Sequence, residues 1–178
     1  MKISNYYAVD VETSGLDPKE SSILSIGAVA MDSGAKFYEE CKPWDGAYIS
    51  ETALKINGFT KEGFAKQKKN EAQIIAKFFQ WLGESPLMVA HNGYFDWGFI
   101  DAAAKRADLK NPFNYRIIDI HSITQAHMLQ ARVDVPSKLG LNQCLEYFGL
   151  PKEPKPHNAL TGAHCNADIL NKFIYGRT

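Results

Sequence analysis

The sequence predicts an α/β fold, a mixed sheet of about five strands flanked by helices. Three observations carry this. Residues 6–41 hold three apolar, strand-like runs joined by short turn-rich gaps. After residue 50 the apolar residues recur at helical spacing. Two more short apolar runs, at 87–90 and 116–119, then alternate with helical stretches. An antiparallel meander followed by strand–helix alternation argues for a mixed sheet with helices on its faces.

Residues 6–12 form the first strand, with Ala8, Val9 and Val11 as its apolar body. Residues 23–30 form the second and 36–41 the third; the gaps run from Leu16 to Ser22 and from Asp32 to Ala35. Ser50 caps a short helix that stops near Gly58. Asn70 caps a helix with Ala72, Ile75, Phe78, Phe79 and Leu82 on its apolar face, ending at Gly83. Leu87 to Ala90 is a buried strand, residues 95–107 are helical, and Arg116 to Asp119 is the fifth strand. Helices follow at 120–130, 138–148 and 158–174. Lys61, Lys66, Lys68 and Lys69 read either as a solvated loop and helix start or as a lip that contacts phosphates. Tyr6, Tyr7, Trp44, Trp81 and Trp97 are scattered, which places them in the core or at its rim.

The 178 residues fit one domain, 1–178, with a full core. A hydrophobic fraction of 45% and a charged fraction of 22% are those of an ordinary globular protein. Net charge is zero, which neither requires nor excludes nucleic acid, since a site for a chain end needs few phosphate contacts. Cys41, Cys144 and Cys165 lack metal-knuckle spacing and suggest buried thiols in a reducing compartment. No apolar run is long enough for a membrane span, and a cytoplasmic location is the default expectation.

Asp10 and Glu12 interrupt the first strand two residues apart, so their side chains leave one face. Two carboxylates there lose water and repel each other, unless a hard divalent metal balances them or the strand is an edge with its acids in water. His91-Asn92-Gly93-Tyr94-Phe95-Asp96 follows a buried strand and opens a helix. In a sheet flanked by helices, sites gather at such strand ends. Asp96 therefore faces Asp10 and Glu12, or else is a first-turn acid favoured by the helix dipole. His157 follows Pro151, Pro154 and Pro156 and precedes the last helix. That placement suits a catalytic base on a mobile loop or an ordinary surface or capping residue.

Taken together and in this order, these segments resemble the DEDDh family of 3′–5′ exonucleases. Asp10-Val11-Glu12-Thr13-Ser14-Gly15-Leu16 is similar to its first motif, His91 to Asp96 to its second, and His157-Asn158-Ala159-Leu160 to the opening of its third. Ser50 to Thr60 resembles the family's helix and turn between the first two motifs, and Asp119 to Ser122 the segment after its fifth strand. The resemblance covers nearly the whole chain and implies an RNase H-like sheet with Asp10 on a central strand. It implies Mg²⁺ or Mn²⁺ at a two-metal site with ions roughly 3.5–4 Å apart, and hydrolysis of DNA or RNA from single-stranded 3′ ends into nucleoside 5′-monophosphates. It implies Asp10, Glu12 and Asp96 as metal ligands and His157 as the base. Thr13 and Leu16, with Asn92 and Phe95, match the pocket for the terminal nucleotide. A polymerase or another replication or repair protein is open as a partner.

One departure falls at the site. The family's third motif places an aspartate five residues after the histidine, and that position is Gly162. With three carboxylates, two divalent ions leave a surplus of about +1. Loss of a direct ligand is expected to cost at least the ~10–100-fold known for groups behind the ligands. Asp168 and His164 lie about 120° and about 160° around the helix and are poor substitutes. The alternatives are an exonuclease impaired at Gly162 and a degenerate module that binds nucleic-acid ends without cutting.

Overall fold

The computed structural model describes residues 5–176. Five strands form one sheet: β1 (Tyr6–Thr13), β2 (Ile23–Ala30), β3 (Lys36–Glu40), β4 (Leu87–Ala90) and β5 (Ile117–Asp119). Their spatial order is β3-β2-β1-β4-β5. The first three pair antiparallel, whereas β4 runs parallel to both β1 and β5. The mixed sheet expected from the sequence is thus present, with Asp10 on its central strand.

The helices are α1 (Glu51–Asn57), α2 (Lys61–Lys66), α3 (Glu71–Trp81), α4 (Tyr94–Arg106), α5 (Ile120–Gln130), α6 (Leu141–Tyr147) and α7 (Ala159–Tyr175). Period-two alternation on β1 sorts them into two layers. Tyr7, Val9 and Val11 pack in one core with Ile74, Ile75, Phe78, Phe99 and Ile100 of α3 and α4. Ala8, on the opposite face, packs with Val29, Val89, Leu145, Ala163 and Ile169 beneath α5, α6 and α7. Asp10 and Glu12 share the parity of Ala8 and so face the α7 layer.

Local signals set most boundaries. Ser50 caps α1 and Gly58 ends it in a left-handed conformation. Asn70 and Gln73 form a capping box on α3. The basic segment, read as a solvated loop and helix start or as a phosphate-contacting lip, carries a short helix of its own. Thr60 accepts a hydrogen bond from the Gly63 N–H and Phe64 is buried, so residues 61–66 close into a short helix.

Gly27 explains how α7 reaches the sheet. It pairs with Asp10 across β1 and β2. A Cβ there would lie 2.1 Å from the Ala159 carbonyl carbon, so only glycine lets the start of α7 rest on β2 beside Asp10. Asn166, further along α7, donates to the Val9 carbonyl at 3.1 Å and holds the helix in register with β1.

A buried ion pair locks the loop after β1. Both oxygens of Glu71 bind Arg106, at 2.8 and 2.9 Å. Glu71 also accepts from the Ile23 N–H at 2.8 Å and from the Ser22 hydroxyl at 3.0 Å. Arg106 reaches the Pro18 carbonyl and lies over the Trp44 ring. Glu71→Ala strands the guanidinium and a buried N–H together. It is expected to lower the unfolding free energy by about 3–5 kcal/mol, read by urea denaturation. A loss under about 1 kcal/mol, the size of a surface pair, would mean that the network is peripheral.

Candidate active site

Three elements converge at the carboxyl end of β1. Asp10 and Glu12 lie on the strand, and Asp96 sits in the first turn of α4, directly after β4. Asp96 accepts a hydrogen bond from the Val11 N–H at 2.9 Å, so its carboxylate is held against the peptide between Asp10 and Glu12.

The third side of the site is α7 and the loop before it. The Gly162 Cα faces Asp10 so closely that a Cβ there would lie 2.4 Å from the Asp10 Oδ2. Asp10 leans into the room that a side chain at 162 would need. His157 is half-buried, with its side chain 35% exposed, so the imidazole is open to a substrate. The loose loop expected around it is tied at both ends. The Glu153 N–H donates to Asn142 of α6 at 2.8 Å, and the His157 N–H donates to the Ile56 carbonyl of α1 at 3.2 Å.

Glu153 is the residue that sequence reasoning missed. It is 8% exposed, and its carboxylate lies 3.5 Å from the Nδ1 of His157. The available signals were its position four residues before His157 and its setting between prolines.

The electrostatics are those of crowded acids short of positive charge. Burial, then the charges of Asp96, Glu12 and Glu153, hold the Asp10 carboxyl well above its usual range. Burial and Glu153 push Glu12 up to about 7. Burial raises Asp96 as well, partly offset by the Val11 N–H. Burial also raises Glu153, with His157 opposing it. Glu12 is 8% exposed. An oxygen-only donor set of crowded carboxylates fits a hard divalent cation. Among the described residues no three His, Cys, Asp or Glu groups are drawn onto one point, so ligation requires side-chain movement.

A pH dependence follows. The unfolded Glu12 gives up its proton near 4.5, whereas the folded one keeps it to about 7. Between those values the folded state binds more protons, so the stabilising contribution is complete at low pH and is lost as pH rises through about 7. Asp10 and Asp96 act in the same direction. Tm measured in EDTA is therefore expected to fall between about pH 5 and about pH 8. Mn²⁺ should raise Tm more at the upper value, where the carboxylates are ionised. A metal effect equal at both values would argue against ligation by this cluster.

Beside the carboxylates lies a cleft of about 640 Å³, within the range of small-molecule sites. Glu12, Thr13, Leu16 and Phe95 line it, joined by Tyr48 and Ile56. Leu16 is 83% exposed, and Tyr48, Ile56 and Phe95 are exposed too. The Thr13 hydroxyl donates to the Gly15 carbonyl at 2.7 Å, and Asn57 donates to the Thr13 carbonyl at 3.1 Å, so this wall is rigid. Asn92 is not among the lining residues. It sits in a left-handed turn with φ 54°, exposed, and its N–H donates to Asp119.

A sequence model of the family described as Exonuclease matches residues 7–170. The chain belongs to this exonuclease family. It is thus a member of the DEDDh 3′–5′ exonuclease hydrolases. Ribonuclease T of Haemophilus influenzae is 32% identical over 123 residues, covering 60% of this chain and 54% of that protein. The PolC-type DNA polymerase III of Thermotoga petrophila is 28% identical over 177 residues, covering 96% of this chain and 12% of that protein. The chain thus spans about half the length of the first relative and a small part of the second. Among solved structures, E. coli exonuclease I in complex with a 5cy-dT13 oligonucleotide superposes with a TM-score of 0.78 at 18% identity, over 97% of this chain and 41% of that one. The nuclease domain of 3′hExo, a DEDDh family member bound to rAMP, superposes with a TM-score of 0.71 at 17% identity, over 96% and 92% of the two chains. At these identities the likeness is one of fold. Among the described residues no helix is long and apolar enough to cross a membrane.

Proposed function

We propose that residues 1–178 act as one exonuclease domain, which removes nucleoside 5′-monophosphates from the 3′ ends of single-stranded DNA or RNA. The observation that carries this reading is the anchoring of Asp96 to the Val11 N–H between Asp10 and Glu12, beside a nucleotide-sized cleft and an accessible His157. Exposed Leu16, Phe95, Tyr48 and Ile56 offer apolar surface for the terminal base and sugar. Relatives named for an oligonucleotide complex and for bound rAMP support a single strand as substrate and a mononucleotide as product. The PolC-type likeness supports a polymerase, or another replication or repair protein, as a working partner.

Asp10, Glu12 and Asp96 would hold Mg²⁺ or Mn²⁺. Bound there, two such ions would activate a water and neutralise charge on the scissile phosphate and the leaving 3′-oxygen. The chain's own residues do the rest. His157 takes the water's proton on Nε2, because its Nδ1 is turned toward Glu153. The rigid Thr13 wall and Leu16 seat the last nucleotide so that its phosphate meets the carboxylates.

Gly162 supports a second reading, a chain with impaired chemistry that binds ends and cuts slowly or not at all. Product analysis separates the two. With Mn²⁺, the exonuclease reading predicts 5′-monophosphates as the small products and none in EDTA. Tight binding of the oligonucleotide with no mononucleotide released would favour the binding module.

A further inference from the structure

A histidine serves as a base only when a lone pair, and not an N–H, faces the water. A neutral imidazole carries one of each, and the hydrogen bond made by one nitrogen decides which nitrogen holds which. The main-chain ties of His157 fix its backbone and leave its ring free. Its N–H donates to the Ile56 carbonyl at 3.2 Å. The next residue, Asn158, caps α7 by accepting from the Leu160 N–H at 3.0 Å, and its amide donates to the Tyr38 hydroxyl at 2.9 Å. With the backbone held on both sides, the rotation and the tautomer of the ring are left to a side chain.

Glu153 is the side chain that meets the ring. Its carboxylate lies 3.5 Å from Nδ1, with the Glu153 side chain 4% exposed against 35% for His157. Among the described residues this is its one ionic contact. Burying a carboxylate costs several kcal/mol unless a cation or donors meet it, and the imidazole N–H is the donor within reach. Pro154 restricts the backbone of Glu153, and Asn142 accepts from its N–H at 2.8 Å. The carboxylate is therefore held at a fixed place behind the ring. At 3.5 Å the contact is long for a hydrogen bond, and such bonds between catalytic groups tighten when substrate binds. An ionised carboxylate only accepts, so it selects the ring with its proton on Nδ1 and its lone pair on Nε2.

Resting on the exonuclease reading above, we infer that Glu153 is the positioning residue for His157. It fixes the rotation of the ring and holds the Nδ1–H tautomer, so that Nε2 presents a lone pair to the attacking water. As the O–H bond of the water breaks, its proton joins Nε2 and its oxygen goes on to phosphorus, while the bond from phosphorus to the 3′-oxygen breaks. The ring then carries two N–H groups and a positive charge, and the Glu153 carboxylate faces that charge.

The test uses the full chain and reads the ring first. Long-range ¹H–¹⁵N NMR spectra, recorded with the ring neutral, separate the two tautomers of His157. Wild type is expected in the Nδ1–H form, and Glu153→Gln, whose amide both accepts and donates, should shift the ring toward Nε2–H. With Mn²⁺, Glu153→Gln should lower kcat about tenfold to a hundredfold, at unchanged KM and Mn²⁺ affinity. In a His157→Ala background the same change should cost nothing further, because Glu153 acts through the ring. A wild-type ring in the Nε2–H form overturns the inference. So does a loss of turnover that persists in full without the imidazole, or one accompanied by weaker Mn²⁺ binding. A wild-type chain that releases no mononucleotide overturns the exonuclease reading instead, and the tautomer still decides whether Glu153 sets the ring. Should Glu153→Gln fail to fold, the wild-type tautomer decides by itself.

Discussion

Asp10→Asn is expected to abolish tight Mn²⁺ binding and to slow the shortening of a single-stranded oligonucleotide by about 10³-fold or more. Asp10 lies against Gly162 of α7, and the charges of Asp96, Glu12 and Glu153 all act on its buried carboxyl. Stabilising a transferring phosphate by metal is worth several kcal/mol, and each 1.36 kcal/mol is about a factor of ten. The amide keeps the shape and removes the charge. The apo fold should gain stability, since Asp10 is a desolvated acid among other acids. A variant that is slow, metal-free and more stable than wild type in EDTA is the expected outcome. Turnover within about threefold of wild type would remove Asp10 from the chemistry.

His157→Ala is the second large effect. Loss of a positioned proton acceptor is expected to lower turnover by about 10²–10⁴-fold. Mn²⁺ affinity and the affinity for a 3′-ended oligonucleotide should change little, because the imidazole is partly exposed and its main-chain tie to Ile56 does not depend on the ring. Equal losses in binding and turnover would make His157 a structural residue.

Much of this arrangement is legible in the chain because it is local. Period two on a strand puts Asp10 and Glu12 on one face whatever the fold, and a buried strand running into a helix start puts Asp96 at a strand end. The sheet is legible for the same reason, since its three meander strands and two crossover strands each carry their own apolar run. What escaped depends on tertiary closure. Glu153 is buried because α6 and α1 fix the two ends of its loop, and neither contact has a sequence period. Tyr48 and Ile56 join Leu16 and Phe95 only after the loop beyond β3 folds over the first motif, where the Ser14 hydroxyl donates to the Tyr48 carbonyl. Asn92 shows the converse. Its motif position suggests the pocket, yet the turn that opens α4 commits its backbone to Asp119 and leaves its side chain outside the cleft. The helix α2 was hidden by a lysine cluster that reads as solvated loop, although Thr60 and Phe64 supply the cap and the anchor.

The most direct measurement of the central claim is the time course of a 5′-labelled single strand with Mn²⁺, run beside the same strand carrying a 3′-phosphate. The account predicts a ladder that shortens one nucleotide at a time from the free 3′ end, a much slower start on the blocked strand, and no reaction in EDTA. Equal degradation of both strands, or cleavage at internal positions, would contradict it.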